Sequence, residues 1–522
     1  MRSPHRVAAV RSLLSFLIVA TPAGALGQTV PIFSGMGYGA GVSPTATTAH
    51  DLNFDGHLDL VTANFTGNDI TVLIADAMGG FLPGTSYPTG LRPVGVVVAD
   101  ATGDGIPDLA VLNQLSVSVS LFHGGGAGAF AAAGSITAAG GGPLGGGGNP
   151  TQIASGDFDA DGRVDLAVVA GDGFRVFLGA PGGFAPFVFT SAPGGARAMA
   201  VGDFDEDGLS DVALVREALL FNSQVGIYSS DGDATFTNTS NGFLSPANSP
   251  NAAAAGDVNG DGHLDFAFTN ATTPTVVLFA GDGAGHVSSL PTLQVPIGAS
   301  GIAVALGDVN SDGARDAVAI RSDGTLSVAF GNGAGAFSAA TPFPVGVALS
   351  GVEVADLTGD GRVDVVSTCA SPSAAVVLSN LTPFAAGLAP YGIGTHGCNG
   401  SHGINASGSP QVGSAGFEFL FTNAPPSTLG ALLLGDVQLA SGIDYGFGAT
   451  FLVDLLGSSL VLVLDVGTDS HGFGFAPVPI PANPAIANVT LFAQGFFVTT
   501  GACLPTPFGF STSSALAFTI QP

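Results

Sequence analysis

Apolar residues in this chain come in short runs of four or five, separated by clusters of Gly, Asp, Asn and Pro. Val96-Val97-Val98-Ala99 precedes one polar loop, and Leu109-Ala110-Val111-Leu112 follows it. The order recurs around other loops, with Ala198-Met199-Ala200-Val201 and Ile302-Ala303-Val304-Ala305 before them and Leu166-Ala167-Val168-Val169 and Val365-Val366 after them. Runs this short, bounded by turn residues, predict β-strands of the buried type. A third run follows, such as Val117-Ser118-Val119-Ser120-Leu121 or Thr275-Val276-Val277-Leu278-Phe279. Next comes a Gly-rich turn ending in an aromatic, Gly126-Ala127-Gly128-Ala129-Phe130 or Gly333-Ala334-Gly335-Ala336-Phe337. A fourth strand then leads into the next unit. Four strands per unit of roughly 50 residues predict a propeller blade.

The polar loops share one nine-residue pattern, Asp-x-(Asp/Asn/Thr)-x-Asp-Gly-x-x-Asp, which occurs seven times at spacings of 49, 57, 46, 54, 51 and 48 residues. Positions 1, 3, 5 and 9 are Asp51, Asn53, Asp55 and Asp59 in the first copy and Asp100, Thr102, Asp104 and Asp108 in the second. The third has Asp157, Asp159, Asp161 and Asp165, and the fourth Asp203, Asp205, Asp207 and Asp211. The fifth has Asp257, Asn259, Asp261 and Asp265, the sixth Asp308, Asn310, Asp312 and Asp316, and the seventh Asp356, Thr358, Asp360 and Asp364. The last unit stops near Leu378-Ser379-Asn380 without a fourth strand, while Pro31-Ile32-Phe33-Ser34 through Val42-Ser43-Pro44 reads like the end of a unit. The N-terminal strand is therefore expected to complete the last blade and close a seven-bladed ring, which leaves no open sheet edge.

Carboxylate, amide and hydroxyl oxygens repeated at this spacing are hard donors and point to Ca²⁺, in up to seven sites. Side chains at positions 1, 3 and 5 of a tight loop converge, Gly at position 6 permits the turn, position 7 offers a carbonyl, and the ninth Asp closes the shell. An EF-hand needs Glu at position 12, which here is Thr62, Val111, Val168, Leu214, Phe268, Ala319 or Ser367, so that reading fails. Thr102 and Thr358 offer neutral hydroxyls, and loops two and seven are expected to bind more weakly.

Composition adds the compartment. Arg2, Arg6 and Arg11 precede the apolar run Leu13–Ala20, and Ala25-Leu26-Gly27 offers small residues for cleavage. Residues 1–27 are read as a secretory signal cut before Gln28, so the protein is expected to be secreted or held at the cell surface. The run is shorter than the ~20 residues that span a bilayer, and the mature chain is expected to carry no integral membrane segment. Without residues 1–27, eight arginines and no lysine face 39 acids, a net of −31. Such a charge excludes a nucleic-acid partner. Ligand positions of the seven loops hold 23 of the acids, and seven Ca²⁺ would bring the net charge to −17. Three cysteines, Cys369, Cys398 and Cys503, allow at most one intramolecular bridge. Cys398 with Cys503 is the preferred pair, because both fall in the C-terminal region.

The seven units resemble FG-GAP (VCBS-type) repeats, the blades of the integrin α-subunit propeller, over about 330 residues. That resemblance implies calcium loops linking the first two strands of each blade on one face, with partners on the opposite face. The connections there include Asn68-Asp69, Arg92, Arg197, Arg216-Glu217, Asn270 and Arg321. The Phe-Gly-Gly-Ala-Pro signature is degenerate in this chain, and Gly183-Phe184-Ala185-Pro186 comes nearest.

The predicted organisation is all-β: a signal at 1–27, the propeller at 28–382, a linker at 383–390 and a small β-sandwich at 391–522. Strands of the last domain are expected at Phe417–Phe421, Ala431–Leu434, Leu460–Leu464, Val489–Phe492 and Ala515–Thr519. Tyr391-Gly392-Ile393-Gly394 with Cys398, Leu432-Leu433-Leu434-Gly435 and Ile480-Pro481-Ala482-Asn483-Pro484 resembles a C-terminal domain of exported planctomycete-type bacterial proteins. His396, Cys398 and His402 have soft-ligand chemistry but no fourth ligand, and are read as a junction loop. No Gly-x-Ser-x-Gly elbow or His-Glu-x-x-His motif occurs, so no catalysis is expected. The function expected is a monomeric calcium-binding module for adhesion to an extracellular protein or glycan. An extracellular enzyme on polysaccharide or lipid and a structural envelope component are the alternatives.

Overall fold

The structure is a computed structural model. It describes residues 16–19, 31–76, 79–137, 149–192, 195–218, 222–243, 250–288, 293–345, 349–383, 388–391, 403–406, 409–414, 417–422, 424, 429–443, 451–453, 461–468, 474–482, 486–498 and 510–521. Regular structure among them is strand.

Seven antiparallel sheets of one plan follow one another. The first contains Pro44–His50, Asp59–Asn64, Asp69–Leu73 and Thr85–Pro88. The second contains Pro93–Ala99, Asp108–Asn113, Ser118–Gly124 and Phe130–Thr137. Gln152–Gly156, Asp165–Ala170, Gly173–Phe177 and Val188–Ser191 form the third. Ala196–Gly202, Asp211–Ala218, Asn222–Ser230 and Phe236–Phe243 form the fourth. The fifth has Pro250–Ala255, Phe266–Asn270, Thr275–Phe279 and Leu293–Pro296, and the sixth Gly301–Gly307, Asp316–Arg321, Thr325–Ala329 and Thr341–Pro344.

The seventh sheet takes three strands from one end of the chain, Leu349–Ala355, Asp364–Ala370 and Ser373–Asn380, and its fourth, Ile32–Gly39, from the other. Phe33 pairs with Asn380 and Gly39 with Ala374, which is the latch expected from the truncated last unit. Phe16–Val19 pairs outside Ile32–Gly39, with Phe16 opposite Gly35. The expected cleavage site, Ala25–Gln28, lies outside the described residues.

The first strand of each sheet touches that of the next, and the first strand of the seventh sheet touches that of the first. This cyclic order explains the unbroken apolar runs. Second strands such as Asp108–Asn113 and Asp165–Ala170 are buried at every position, because a neighbouring sheet covers each face. Leu109 and Val111 pack with Val61 and Ala63 of sheet one, while Ala110 and Leu112 pack with Leu166 and Val168 of sheet three. Each fully buried Leu or Val contributes about 1.5–3 kcal/mol.

First strands line the inner edge of the ring, and side chains stitch one to the next. The residue six places before a loop donates to the following sheet in four cases. Thr45 Oγ1 reaches the Pro93 carbonyl at 3.3 Å, Thr151 Oγ1 that of Arg197 at 3.1 Å, Asn251 Nδ2 that of Gly301 at 2.8 Å and Ser350 Oγ that of Pro44 at 2.8 Å. These bonds satisfy carbonyls that the ladder leaves free at an open edge.

The C-terminal region has a five-stranded sheet ordered Leu388–Tyr391, Phe510–Thr519, Thr490–Val498, Leu429–Gly435 and Val461–Gly467. A three-stranded sheet of Gly403–Ala406, Glu418–Thr422 and Gly474–Pro477 shares its core. Phe417, Phe419, Phe421, Leu432, Leu434, Phe497 and Phe518 fill that core. Leu388–Pro390, expected as linker, are already paired into the larger sheet, with Leu388 opposite Phe518. Cys398, Cys503, His396 and His402 lie outside the described residues, and Cys369 is a buried free thiol.

Candidate metal centres

All seven acidic loops join the first and second strands of a sheet, so they crown one face of the propeller. Their backbone is alike. The Gly at position 6 has a left-handed φ in every copy, from +77° at Gly162 to +91° at Gly208. Position 4 is left-handed as well. Gly103, Gly260 and Gly359 take it without strain, whereas Phe54, Ala160, Glu206 and Ser311 hold φ between 59° and 61° with a side chain in place. The pattern signals position 6; position 4 shows only as glycine in three of the seven copies.

Four hydrogen-bond relations repeat without exception. The carboxylate at position 1 accepts the N–H of the position-6 Gly at 2.7–3.0 Å, as Asp51 does from Gly56. The carboxylate at position 5 accepts the N–H of position 7 at 2.8–3.0 Å. The ninth Asp accepts the position-2 N–H with one oxygen at 2.8–3.1 Å. Its other oxygen accepts an N–H from the end of strand three or just past it at 2.6–2.9 Å, for example Ala75 to Asp59 and Gly124 to Asp108. The ninth Asp was expected only to close a coordination shell. It also brackets the loop to the third strand, with the remaining lone pairs left for a cation.

The carboxylate oxygens of Asp157, Asp159 and Asp165 lie within 4.8 Å of one another, as do those of Asp203, Asp205 and Asp211. Asp161 and Asp207 at position 5 stand outside these clusters. Where position 3 is Asn, its amide donates to the position-5 carboxylate at 2.9 Å, in Asn53–Asp55, Asn259–Asp261 and Asn310–Asp312. Thr102 Oγ1 donates to Asp100 at 3.3 Å, and Thr358 is held by its N–H on Asp364 at 3.2 Å.

Burial, and after it the charge of neighbouring carboxylates, pushes these acids upward. Asp51, Asp165 and Asp265 rise to about 6, and Asp59, Asp211 and Asp308 to about 7. Asp316 and Asp364 lie well above the ordinary carboxylate range for the same reasons. Buried like charges of this kind require a counter-cation or protons. The donor set is entirely oxygen, and it fits a hard divalent ion such as Ca²⁺. Loop seven is covered further: a Cβ on Gly361 would fall 2.6 Å from the Ile404 carbonyl oxygen, so the C-terminal domain lies against this loop.

The opposite face carries the other connections. Arg92, Arg197 and Arg321 sit there beside the acids Asp69, Asp172 and Asp323, and Arg175 and Arg216 lie buried beneath them. Arg92 stacks over Phe65 at 5.2 Å and takes the Asn68 amide oxygen on its N–H at 2.9 Å. Asp69 accepts from Asn64 and Ser86 at 2.8 Å. Arg197 is exposed and borders a cavity of about 210 Å³ lined by Gln114, Asn149, Thr151, Gly171, Gly195 and Ala196. Two residues expected at the surface are instead inside: Asn270 is fully buried, and Arg216 is buried with Nη1 on the Tyr228 hydroxyl at 3.3 Å. Both lie at the end of a second strand, where adjacent sheets still cover the side chain. Arg175 was not foreseen. It is buried, paired to Asp172 at 3.0 Å, and stacked over Phe189 at 4.5 Å.

Comparison with known proteins bears on the repeats. The FG-GAP-like repeat pattern matches residues 51–111, 102–168, 157–214, 203–268 and 308–367, together more than half of the chain. No curated protein matches the chain. Solved structures similar to it include BBS1N in complex with ARL6DN, with a TM-score of 0.45 and 13% identity over 66% of this chain and 94% of that one. A Lactobacillus plantarum protein has a TM-score of 0.45 and 17% identity over 62% of this chain and 94% of its own. An Agrocybe aegerita lectin that recognises non-reducing terminal N-acetylglucosamine has a TM-score of 0.42 and 16% identity over 58% and 81%.

Proposed function

The chain belongs to the FG-GAP-like repeat family, and we propose that it is an exported, seven-bladed, calcium-binding propeller that serves as a binding or adhesion module for an extracellular protein or glycan. One observation carries the reading: the ring separates its charges. One face gathers the seven acidic loops, whose first and ninth acids are largely buried and which, in loops three and four, bring three carboxylates within 4.8 Å of one another. The other carries Arg92, Arg197 and Arg321 and a polar cavity.

Positions 1, 3, 5 and 9 of each loop would hold the ion, and Ca²⁺ would neutralise carboxylates that burial disfavours as anions. Metal binding at the loops stiffens the junction between first and second strands, and does so at every blade. Recognition falls to the opposite face, where Arg92, Arg197 and the cavity offer charge, an aromatic contact and amide groups. The N-terminal basic and apolar segment supports export. No helix of the described residues is long and apolar enough to cross a membrane. The C-terminal domain, which resembles that of exported planctomycete-type proteins, supports residence at the cell surface. The reading assigns no catalytic residue.

Glycan and extracellular-protein arrays, probed with the full chain in Ca²⁺ and in chelator, test it. Binding that Arg197→Ala abolishes, and that chelator reduces only as far as it unfolds the protein, is the expected result. Binding lost on Asp161→Ala in a folded variant, with Arg197→Ala unaffected, would place recognition on the wrong face.

A further inference from the structure

In loops four to seven, position 8 reaches back to the start of the loop before it. Ser210 packs on Gly156 and its Oγ accepts the Asp157 N–H at 3.2 Å. Leu264 lies against Gly202, and Val363 against Gly307. In six of the seven loops this residue is uncharged: Leu58, Pro107, Val164, Ser210, Leu264 and Val363. In the sixth loop it is Arg315.

Arg315 is buried, 4% exposed, and donates from Nη1 to the Leu306 carbonyl at 3.3 Å. It lies against Gly256, where a Cβ would come within 3.2 Å of its Cδ and Nε and 3.4 Å of its Cζ. Gly256 immediately precedes Asp257, the first acid of loop five, and Arg315 itself lies within loop six. An arginine guanidinium keeps its charge at neutral pH even when buried, and the Leu306 carbonyl that it reaches lies two residues before Asp308, the first acid of loop six. A fixed cation therefore sits where the starts of two adjacent loops meet, against Gly256 and the Leu306 carbonyl.

We propose that Arg315 is a built-in countercharge shared by loops five and six, which weakens divalent-cation binding there and keeps both loops folded when metal is scarce. The inference rests on the calcium reading of the loops. An entering Ca²⁺ is repelled by the buried guanidinium, and in a low-dielectric site that repulsion is poorly screened. The same guanidinium offsets the repulsion among Asp257, Asp308 and their neighbours when no metal is present. Loop four, with four Asp and no Arg within it, is then the tightest, and loop three follows, with Arg163 ion-paired to its ligand Asp161 at 3.7 Å. Five and six join two and seven as the weaker set.

The test is Ca²⁺ titration of the full chain by calorimetry, with melting temperature in chelator as a second readout. Wild type is compared with Arg315→Met, with Arg315→Gln, which keeps a donor for Leu306, and with Arg315→Lys, which keeps the charge. The two neutral variants should tighten a class of two sites by about tenfold or more. They should also melt lower than wild type in chelator, while Arg315→Lys stays near wild type. Adding Asp261→Ala to Arg315→Met should remove one of the two tightened sites. Wild type that binds Ca²⁺ with constants that neither neutral variant changes would overturn the countercharge role alone. Wild type that binds no Ca²⁺ would overturn the calcium reading, and the countercharge role with it.

Discussion

Glu353 Oε1 accepts the backbone N–H of Ala49 at 3.1 Å, which ties the first strand of the seventh sheet to the first strand of the first, 304 residues away. Its Oε2 is enclosed with no partner. The equivalent residues, three places before the other loops, are Thr48, Val97, Ala154, Ala200, Ala254 and Ala305, so this is the one carboxylate in that layer. Burial pushes its pKa up to about 8. The sign follows: the unfolded chain releases this proton near pH 4.5, the folded chain near 8, so the group costs stability progressively as pH rises between those values. Glu353→Gln should flatten that slope. Urea melts at pH 5 should show little difference from wild type, and melts at pH 8.5 should show the variant more stable by about 2 kcal/mol, with solvent contact of the side chain holding the gain down. Equal slopes in both proteins would refute the assignment.

The ring closes on Phe33. Its ring is fully buried, packs edge-on against Phe343 at 5.4 Å, and belongs to a core shared by the sixth and seventh sheets. Phe33→Ala should cost about 3–5 kcal/mol, as large aromatic truncations in cores do. Deletion of residues 28–44 should go further and expose the edge of Ser373–Asn380, seen as concentration-dependent association in light scattering. A deletion variant as stable and as monomeric as the parent would mean that the strand is decoration.

Much of this was legible in the chain because the relevant signals are local. The second strands read as unbroken apolar runs since both faces are covered, and the loops read from spacing alone. The latch was legible by subtraction, from a last unit lacking its fourth strand. What escaped depends on neighbours distant in sequence. Asn270 has the composition of an exposed connection, yet the adjacent sheets close over it. The second bond of each ninth Asp comes from a strand some 16 residues on, so the nine-residue pattern could not show it. Arg315 and Glu353 stand out only when the seven units are aligned, as the lone charge in a column of uncharged residues.

Position 4 of the loops offers a cheap stabilisation. Ala160 holds φ at 60°, where a side chain is disfavoured and glycine is not. Ala160→Gly should therefore gain about 0.5–1 kcal/mol, and Gly103→Ala, at φ +77°, should lose at least as much. Thermal melts of the two single variants in chelator check this, and a destabilised Ala160→Gly would show that unfolded-state entropy outweighs the relief of strain.

Asp161 and Asp165 belong to the same loop and should fail differently. Asp165 is fully buried and accepts the N–H groups of Phe158 at 2.8 Å and Gly179 at 2.6 Å. Asp161 is exposed and accepts one local N–H, that of Arg163, at 2.8 Å. Truncating Asp165 leaves two enclosed donors unsatisfied, at about 1–3 kcal/mol each, whether or not metal is present. Truncating Asp161 removes a cation ligand at a solvent-facing position and an exposed ion pair with Arg163 at 3.7 Å, which contributes little. Asp165→Ala should thus lower the melting temperature in both chelator and Ca²⁺. Asp161→Ala should melt like wild type in chelator and fall behind it only in Ca²⁺, because it forfeits the stabilisation that binding to the folded state supplies. If both variants lost the same amount in chelator, the division between bracket and ligand would fail. If wild type itself melted identically with and without Ca²⁺, the loops would be turns and not metal sites.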